Sequence, residues 1–124
     1  MKVIIIDDYP GFAELLKTWI ESLYPDWTVH AYDEWPRGKD ALENDKFELV
    51  VVDVMMPGVS AEEILNFISS SQPDASVIVM SGFSDAELAL EELPRSKRKN
   101  LVFLKKPFTQ EELVDTIKKV VRPT

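Results

Sequence analysis

The stretch LVVVDVMMPG, residues 49–58, decides the fold of this chain. It opens with four apolar residues, Leu49–Val52, which are continuous rather than alternating and mostly β-branched. Such a run is typical of a parallel strand that is buried on both faces of a sheet. Asp53 ends the run, and a Pro-Gly pair then turns the chain. Similar apolar runs occur at Val3–Ile6, Val77–Met80 and Leu101–Leu104, and a weaker strand candidate lies at Trp27–Tyr32.

Helical patterns fill the gaps between these runs. Apolar residues at positions 12, 15, 16, 19, 20 and 23 form one stripe of an amphipathic helix. The segment Pro36–Asn44 is the weakest helix prediction, because Gly38 interrupts it. A Ser or Thr with Glu three residues later is a capping box, and it predicts three further helix starts, at Ser60/Glu63, Ser84/Glu87 and Thr109/Glu112. Strand and helix therefore alternate five times, which predicts an α/β fold of the (βα)5 type with a doubly wound, five-stranded parallel sheet.

Length and composition restrict the class of protein. The 124 residues fit a single domain spanning 1–124, and 45% hydrophobic with 29% charged residues is ordinary globular composition. The longest apolar runs are strand-sized, and the first residues lack the features of a signal peptide. The absence of cysteine excludes disulfides and thiolate metal sites. A net charge of -8 argues against direct binding to nucleic acid. We expect a soluble, cytoplasmic protein with no membrane contact.

Polar side chains follow the predicted strands at one edge of the sheet, where ligands of such folds bind. Asp7 and Asp8 end the first run, Asp53 the second, Ser81 the third, and Lys106 lies just beyond the last. Each alone could be a turn, capping or surface residue. Three carboxylates brought together, however, repel one another and raise one another's pKa unless a cation relieves them. Mg²⁺ prefers such oxygen ligands together with a phosphate oxygen. The first loop is acidic and lacks a glycine-rich phosphate cradle, which disfavours a flavodoxin-like redox domain.

Four motifs in this order resemble the receiver domain of two-component response regulators. They are IIIDDYP, LVVVDVMMPG, VIVMSG and FLKKPF, and the resemblance covers about residues 2–121. It implies the flavodoxin-like strand order 2-1-3-4-5. It also implies a signalling domain that accepts a phosphoryl group from a histidine kinase or a histidine phosphotransfer protein and catalyses only its own phosphorylation and dephosphorylation.

The resemblance assigns a phosphoacceptor and a metal site. Asp53 matches the nucleophile that becomes an aspartyl phosphate. Asp7 and Asp8 match the pair that binds Mg²⁺ (or Mn²⁺), with Asp8 expected as the direct ligand and Asp7 nearby or acting through water. Asp53 and the backbone carbonyl of Met55 would complete the protein's share of the metal shell.

The resemblance also assigns a phosphoryl contact and a switch. Lys106 matches the lysine that contacts the phosphoryl oxygens. Ser81 matches the hydroxyl that moves towards the phosphoryl group, and Phe103 matches the aromatic residue whose rotamer follows it. The signal would leave through the face of the fourth helix, fifth strand and fifth helix, towards an effector domain or protein or into a homodimer.

Other interpretations stay open at this point. A pseudo-receiver would keep the fold and bind partners without being phosphorylated. An aspartyl-phosphate phosphohydrolase would use the same kind of sheet, but it needs a second aspartate two residues after Asp53, where Met55 stands. The sequence does not decide whether the domain acts alone, in a phosphorelay or within a longer chain.

Overall fold

Five parallel strands form one sheet in the computed structural model, which describes residues 1–82, 90–91, 93–94, 96, 98 and 100–121. The strand order is β2-β1-β3-β4-β5, as predicted. Each predicted apolar run lies within a strand, and the weaker candidate forms the edge strand β2. The strands are β1 (Lys2–Ile6), β2 (Thr28–Tyr32), β3 (Leu49–Asp53), β4 (Ser76–Ser81) and β5 (Leu101–Lys105).

Four helices are described: α1 (Phe12–Leu23), α2 (Trp35–Asn44), α3 (Ala61–Ser71) and a C-terminal helix (Gln110–Val120). The side chain of Ser60 caps α3 by accepting a hydrogen bond from the Glu63 N–H, and Thr109 forms a complete, reciprocal capping box with Glu112. The Ser84/Glu87 box of the predicted fourth helix lies outside the described residues. In the part of the chain that is described, no helix is both long and apolar enough to cross a membrane.

The sheet separates two apolar cores, which explains why its central strands are continuously hydrophobic. Val50 and Val52 of β3 point into the core shared with α2 and α3. Leu49 and Val51 point into the opposite core, shared with α1 and the C-terminal helix. All of β3 is buried, and its four apolar residues pack alternately into the two cores.

Gly38 allows α2 to approach the sheet closely. A Cβ atom at this position would lie 2.5 Å from Cδ1 and 2.8 Å from Cγ1 of Ile6. Ile6 is completely buried at the end of β1, so it has little room to move. The glycine that weakens the helix pattern in the sequence is therefore required by packing beside the strand that leads into Asp7.

We predict that Gly38→Ala lowers the free energy of unfolding by about 1–3 kcal/mol, because overpacking against Ile6 outweighs the better helix propensity of alanine. Urea denaturation measures the effect. The same substitution in an Ile6→Val background should cost less, since Val lacks the nearest atom of the clash. An equal cost in both backgrounds would show that another contact, not this one, requires the glycine.

Candidate functional site

Three aspartates meet at the carboxyl edge of the sheet. β1 and β3 are neighbouring parallel strands, with Ile6 paired to Val52, so Asp7 and Asp53 follow at adjacent positions. One carboxylate oxygen each from Asp7, Asp8 and Asp53 lie within 4.8 Å of one another. The predicted convergence of strand-end carboxylates is thus present in the fold.

Asp7 is completely buried, and both of its carboxylate oxygens have donors. The backbone N–H of Tyr9 donates to Oδ1 at 2.9 Å, and the Lys106 ammonium donates to Oδ2 at 2.5 Å. The Asp7 N–H itself donates to the carbonyl of Tyr32 at the end of β2. Main-chain bonds therefore fix the position of this carboxylate at the edge of the sheet.

Asp53 is held in a similar way at the end of β3, with 7% of its surface exposed. The backbone N–H of Met55 donates to Oδ1 at 2.8 Å, and the Lys106 ammonium donates to Oδ2 at 2.9 Å. The carboxylate is therefore oriented from two sides and is still reachable from solvent.

Lys106 bridges two of the three carboxylates. Its N–H donates to the carbonyl of Ser81 at 2.9 Å, and the following Lys106–Pro107 peptide bond is cis. From this position its ammonium donates to both Asp7 and Asp53, with about a fifth of the side chain exposed (21%). The preceding residue, Lys105, is exposed at the end of β5.

Burial and pairing act in opposite directions on these charges. Burial raises the pKa of Asp7 above its usual value of 3.8, and the bonds from Lys106 and Tyr9 offset this only in part. Burial also disfavours the charged form of Lys106, but its hydrogen bonds to the two aspartates outweigh that and raise its pKa above 10.5. Burial prevails at the enclosed Asp7, whereas ion pairing prevails at the partly exposed Lys106. The cluster has three carboxylates, and Lys106 is the one ammonium described in contact with it, so its negative charge exceeds what that ammonium can compensate.

Hard oxygen ligands make this cluster suitable for a divalent cation. Three carboxylates within reach of one ion match the ligand preference of Mg²⁺ and not that of a soft metal. Asp8 is half-buried, and Met55, next but one after Asp53, is 39% exposed. The carbonyl of Met55 as a metal ligand stays a prediction.

The predicted switch residues lie on the two strands beside the acidic cluster. Ser81 ends β4 and is 1% exposed, one residue beyond Met80, which pairs with Asp53. Phe103 lies in β5, where it pairs with Val79 of β4. Its partly buried side chain packs against the core shared with α2 and α3. Both residues thus lie on strands next to the acidic cluster, and their roles in a switch stay predictions.

One contact of the site was not predicted from the sequence. The ring of Phe12, the first residue of α1, lies 4.7 Å from the Lys106 ammonium, measured to the ring centroid. Phe108 packs edge-on against the same ring at 5.8 Å. In the sequence Phe12 was interpreted only as part of the apolar stripe of the first helix, because periodicity indicates a buried face and not a partner.

Comparisons with solved structures agree with the fold. A solved receiver domain protein (CheY-like) from Methanospirillum hungatei superposes with a TM-score of 0.79 at 19% identity, covering 95% of this chain and 90% of that chain. The structure of TrrA from Thermotoga maritima in complex with Mg²⁺ and BeF superposes with a TM-score of 0.74 at 23% identity, covering 97% of this chain and 98% of that chain.

Sequence comparison extends the likeness to curated proteins. The transcriptional regulatory protein FixJ of Bradyrhizobium diazoefficiens is 30% identical over 97% of this chain. The chain spans 56% of FixJ and half or less of the next two curated relatives. The family model described as "Response regulator receiver domain" matches residues 3–118. The chain therefore belongs to the response regulator receiver domain family.

Proposed function

We propose that this domain is a phosphorylation-switched signalling module in which Asp53 accepts a phosphoryl group from a histidine kinase or a histidine phosphotransfer protein. The observation that supports this most strongly is the ammonium of Lys106 between Asp7 and Asp53, at 2.5 and 2.9 Å. A lysine placed there can neutralise the negative charge of the phosphoryl oxygens as the group is transferred to Asp53. A pseudo-receiver, which only binds partners, has no need for such an arrangement.

Nucleophilic attack by Asp53 requires orientation and charge neutralisation. A bond forms between a carboxylate oxygen of Asp53 and phosphorus, while the bond from phosphorus to the donor group breaks. The Met55 N–H holds one oxygen of the nucleophile, and Lys106 donates to the other. Such fixed donors lower the cost of reaching the reactive geometry, and the ammonium can then pair with the phosphoryl oxygens.

Asp7, Asp8 and Asp53, with the carbonyl of Met55, would hold the Mg²⁺ ion (or Mn²⁺). When bound, the ion supplies charge neutralisation at the phosphoryl oxygens. Asp8 is the expected direct ligand, because Asp7 is fully buried and already accepts hydrogen bonds at both oxygens. The Mg²⁺ and BeF complex of the related TrrA supports the choice of metal.

The phosphoryl group would change the packing behind the site. It adds about 1.5–2 negative charges and new acceptor oxygens next to Ser81. Movement of the Ser81 hydroxyl towards these oxygens would leave space that Phe103 can fill, since its ring is only partly buried. The signal then passes to an effector domain or protein, or into a homodimer, through the face that includes β5 and the C-terminal helix. We propose that the protein acts in the cytoplasm.

The first prediction from the proposed function concerns the phosphoacceptor. With Mg²⁺ and acetyl phosphate, intact mass spectrometry should detect one phosphoryl adduct, which Asp53→Asn abolishes because it removes the nucleophile. Asp33→Asn, at an exposed aspartate after β2, is the matched control and should react like the unmodified chain. Lys106→Met should slow the reaction about 10-fold or more, since a charged donor to the phosphoryl oxygens is lost. A normal adduct in Asp53→Asn would refute the assignment.

The second prediction concerns the metal. Mg²⁺ at about one hundred times its Kd should raise the free energy of unfolding by about 2.7 kcal/mol, because it binds the folded state alone. Thermal denaturation with and without the metal measures this as a rise in Tm. Asp8→Asn should lose most of the rise, whereas Asp26→Asn, at an exposed residue after α1, should keep it. An undiminished rise in Asp8→Asn would remove that residue from the metal site.

The third prediction concerns pH. Because the pKa of Asp7 is raised above 3.8 in the folded protein, the unfolded chain releases this proton first as pH increases. The contribution of Asp7 to the free energy of unfolding is therefore most favourable below pH 3.8. It is lost as the pH rises through the pKa that Asp7 has in the folded protein. The stability of Asp7→Asn relative to the unmodified chain should increase from about pH 4 to about pH 7 in metal-free buffer.

Urea denaturation across this pH range tests the sign of the effect. Asp33→Asn serves as the control, because Asp33 is exposed and is not part of the acidic cluster. A relative stability of Asp7→Asn that decreases with pH would mean that pairing with Lys106, and not burial, dominates at Asp7.

A further inference from the structure

We propose that Phe12 is a positioning residue for Lys106, and that its ring holds the ammonium in place during phosphoryl transfer to Asp53. The inference rests on the proposed function. It concerns a contact of Lys106 that is not a hydrogen bond, and it gives the first residue of α1 a role in the chemistry of the sheet edge.

The geometry is that of a cation–π contact. The Lys106 ammonium lies 4.7 Å from the centroid of the Phe12 ring, inside the roughly 6 Å over which the negative face of a ring attracts a cation. Lys106 is also largely shielded from solvent, with 21% of its side chain exposed. Such contacts strengthen when water is removed, so this one should matter more than a contact on the open surface.

Local structure fixes where the ring stands. Gly11 adopts a positive φ of 79° immediately before α1, and the Phe12 N–H donates to the carbonyl of Tyr9. Phe108 meets the Phe12 ring at an interplanar angle of 70°. Because Phe108 comes two residues after Lys106, the two rings connect the start of α1 to the segment that carries the lysine.

The Phe12 ring offers Lys106 a contact that the metal and the phosphoryl group do not compete for. Within the described residues, the ammonium donates to Oδ2 of Asp7 and Oδ2 of Asp53, on the same carboxylates that metal and phosphoryl group would engage. The ring carries no ionisable group, so its attraction for the ammonium is the same before and after transfer. It can therefore restrain a long, flexible side chain while the hydrogen bonds of that side chain are exchanged.

Elsewhere the chain provides an internal comparison. Lys39 lies 5.1 Å from the centroid of the Phe67 ring, but it is exposed on α2 and has no described contact with the acidic cluster. Removing the Phe67 ring deletes a similar lysine–ring contact at a distance from Asp53. Phe67→Leu is therefore a matched control for Phe12→Leu.

The kinetic test compares Phe12→Leu, which deletes the ring, with Phe12→Tyr, which keeps it. Phosphorylation by acetyl phosphate with Mg²⁺ is followed by intact mass. We expect Phe12→Leu to slow the reaction about threefold to thirtyfold, and Phe12→Tyr and Phe67→Leu to stay within about twofold of the unmodified rate. In a Lys106→Met background, Phe12→Leu should have no further effect, because the ring then has no ammonium to hold. An equal loss in both backgrounds, or no loss in either, overturns the proposal.

A second measurement does not depend on the reaction. Proton NMR of the Lys106 ε-methylene should show an upfield ring-current shift that persists in Phe12→Tyr and disappears in Phe12→Leu, while urea denaturation verifies that the variants are folded. An unchanged shift in folded Phe12→Leu contradicts the contact.

The phosphorylation assay distinguishes failure of the two proposals. Failure of the unmodified chain to form any adduct would refute the proposed function. An adduct formed at the normal rate by Phe12→Leu would refute the positioning role alone.

Discussion

The salt bridges from one ammonium to two buried carboxylates are the interaction on which the rest of the site depends. Lys106 donates to Asp7 at 2.5 Å and to Asp53 at 2.9 Å, and Asp8 adds a third negative group within 4.8 Å. Without compensation, such a cluster would repel itself and resist burial. Among the described residues, these three carboxylates face the ammonium of Lys106 alone, which leaves the cluster with a residual negative charge. A site with this residual negative charge is suited to a divalent cation and to a reaction that brings one.

The parallel sheet produces this arrangement by topology. Strands β1 and β3 are neighbours although more than forty residues separate them, and their carboxyl ends deliver Asp7 and Asp53 side by side. β4 and β5 then bring Ser81 and Lys106 to the same edge, where a backbone hydrogen bond joins them. The continuous apolar strands that signal the fold also make it rigid, because each strand is packed on both faces. Rigidity of this kind allows charges to be held at fixed distances.

The convergence of Asp7, Asp53 and Lys106 could be predicted from sequence, because strand ends in a parallel sheet meet at one edge and the order of motifs identifies the strands. The assigned roles of these residues stay predictions. Side-chain contacts could not be predicted in the same way. Periodicity placed Phe12 on a buried helix face, yet only the packed structure brings its ring to the lysine. Gly38 weakened the helix pattern, and only the nearness of the buried strand explains why it is required.

Chemical trapping can identify which aspartate at the carboxyl edge of the sheet accepts the phosphoryl group, and we expect it to be Asp53. Borohydride reduces an acyl phosphate but leaves a free carboxylate unchanged, so treatment after incubation with Mg²⁺ and acetyl phosphate marks the residue that carried the phosphoryl group. Peptide mapping by mass spectrometry should find homoserine at position 53 and unmodified aspartate at positions 7 and 8. Reduction at Asp7 or Asp8, or at no residue of the cluster, would show that Asp53 is not the phosphoacceptor.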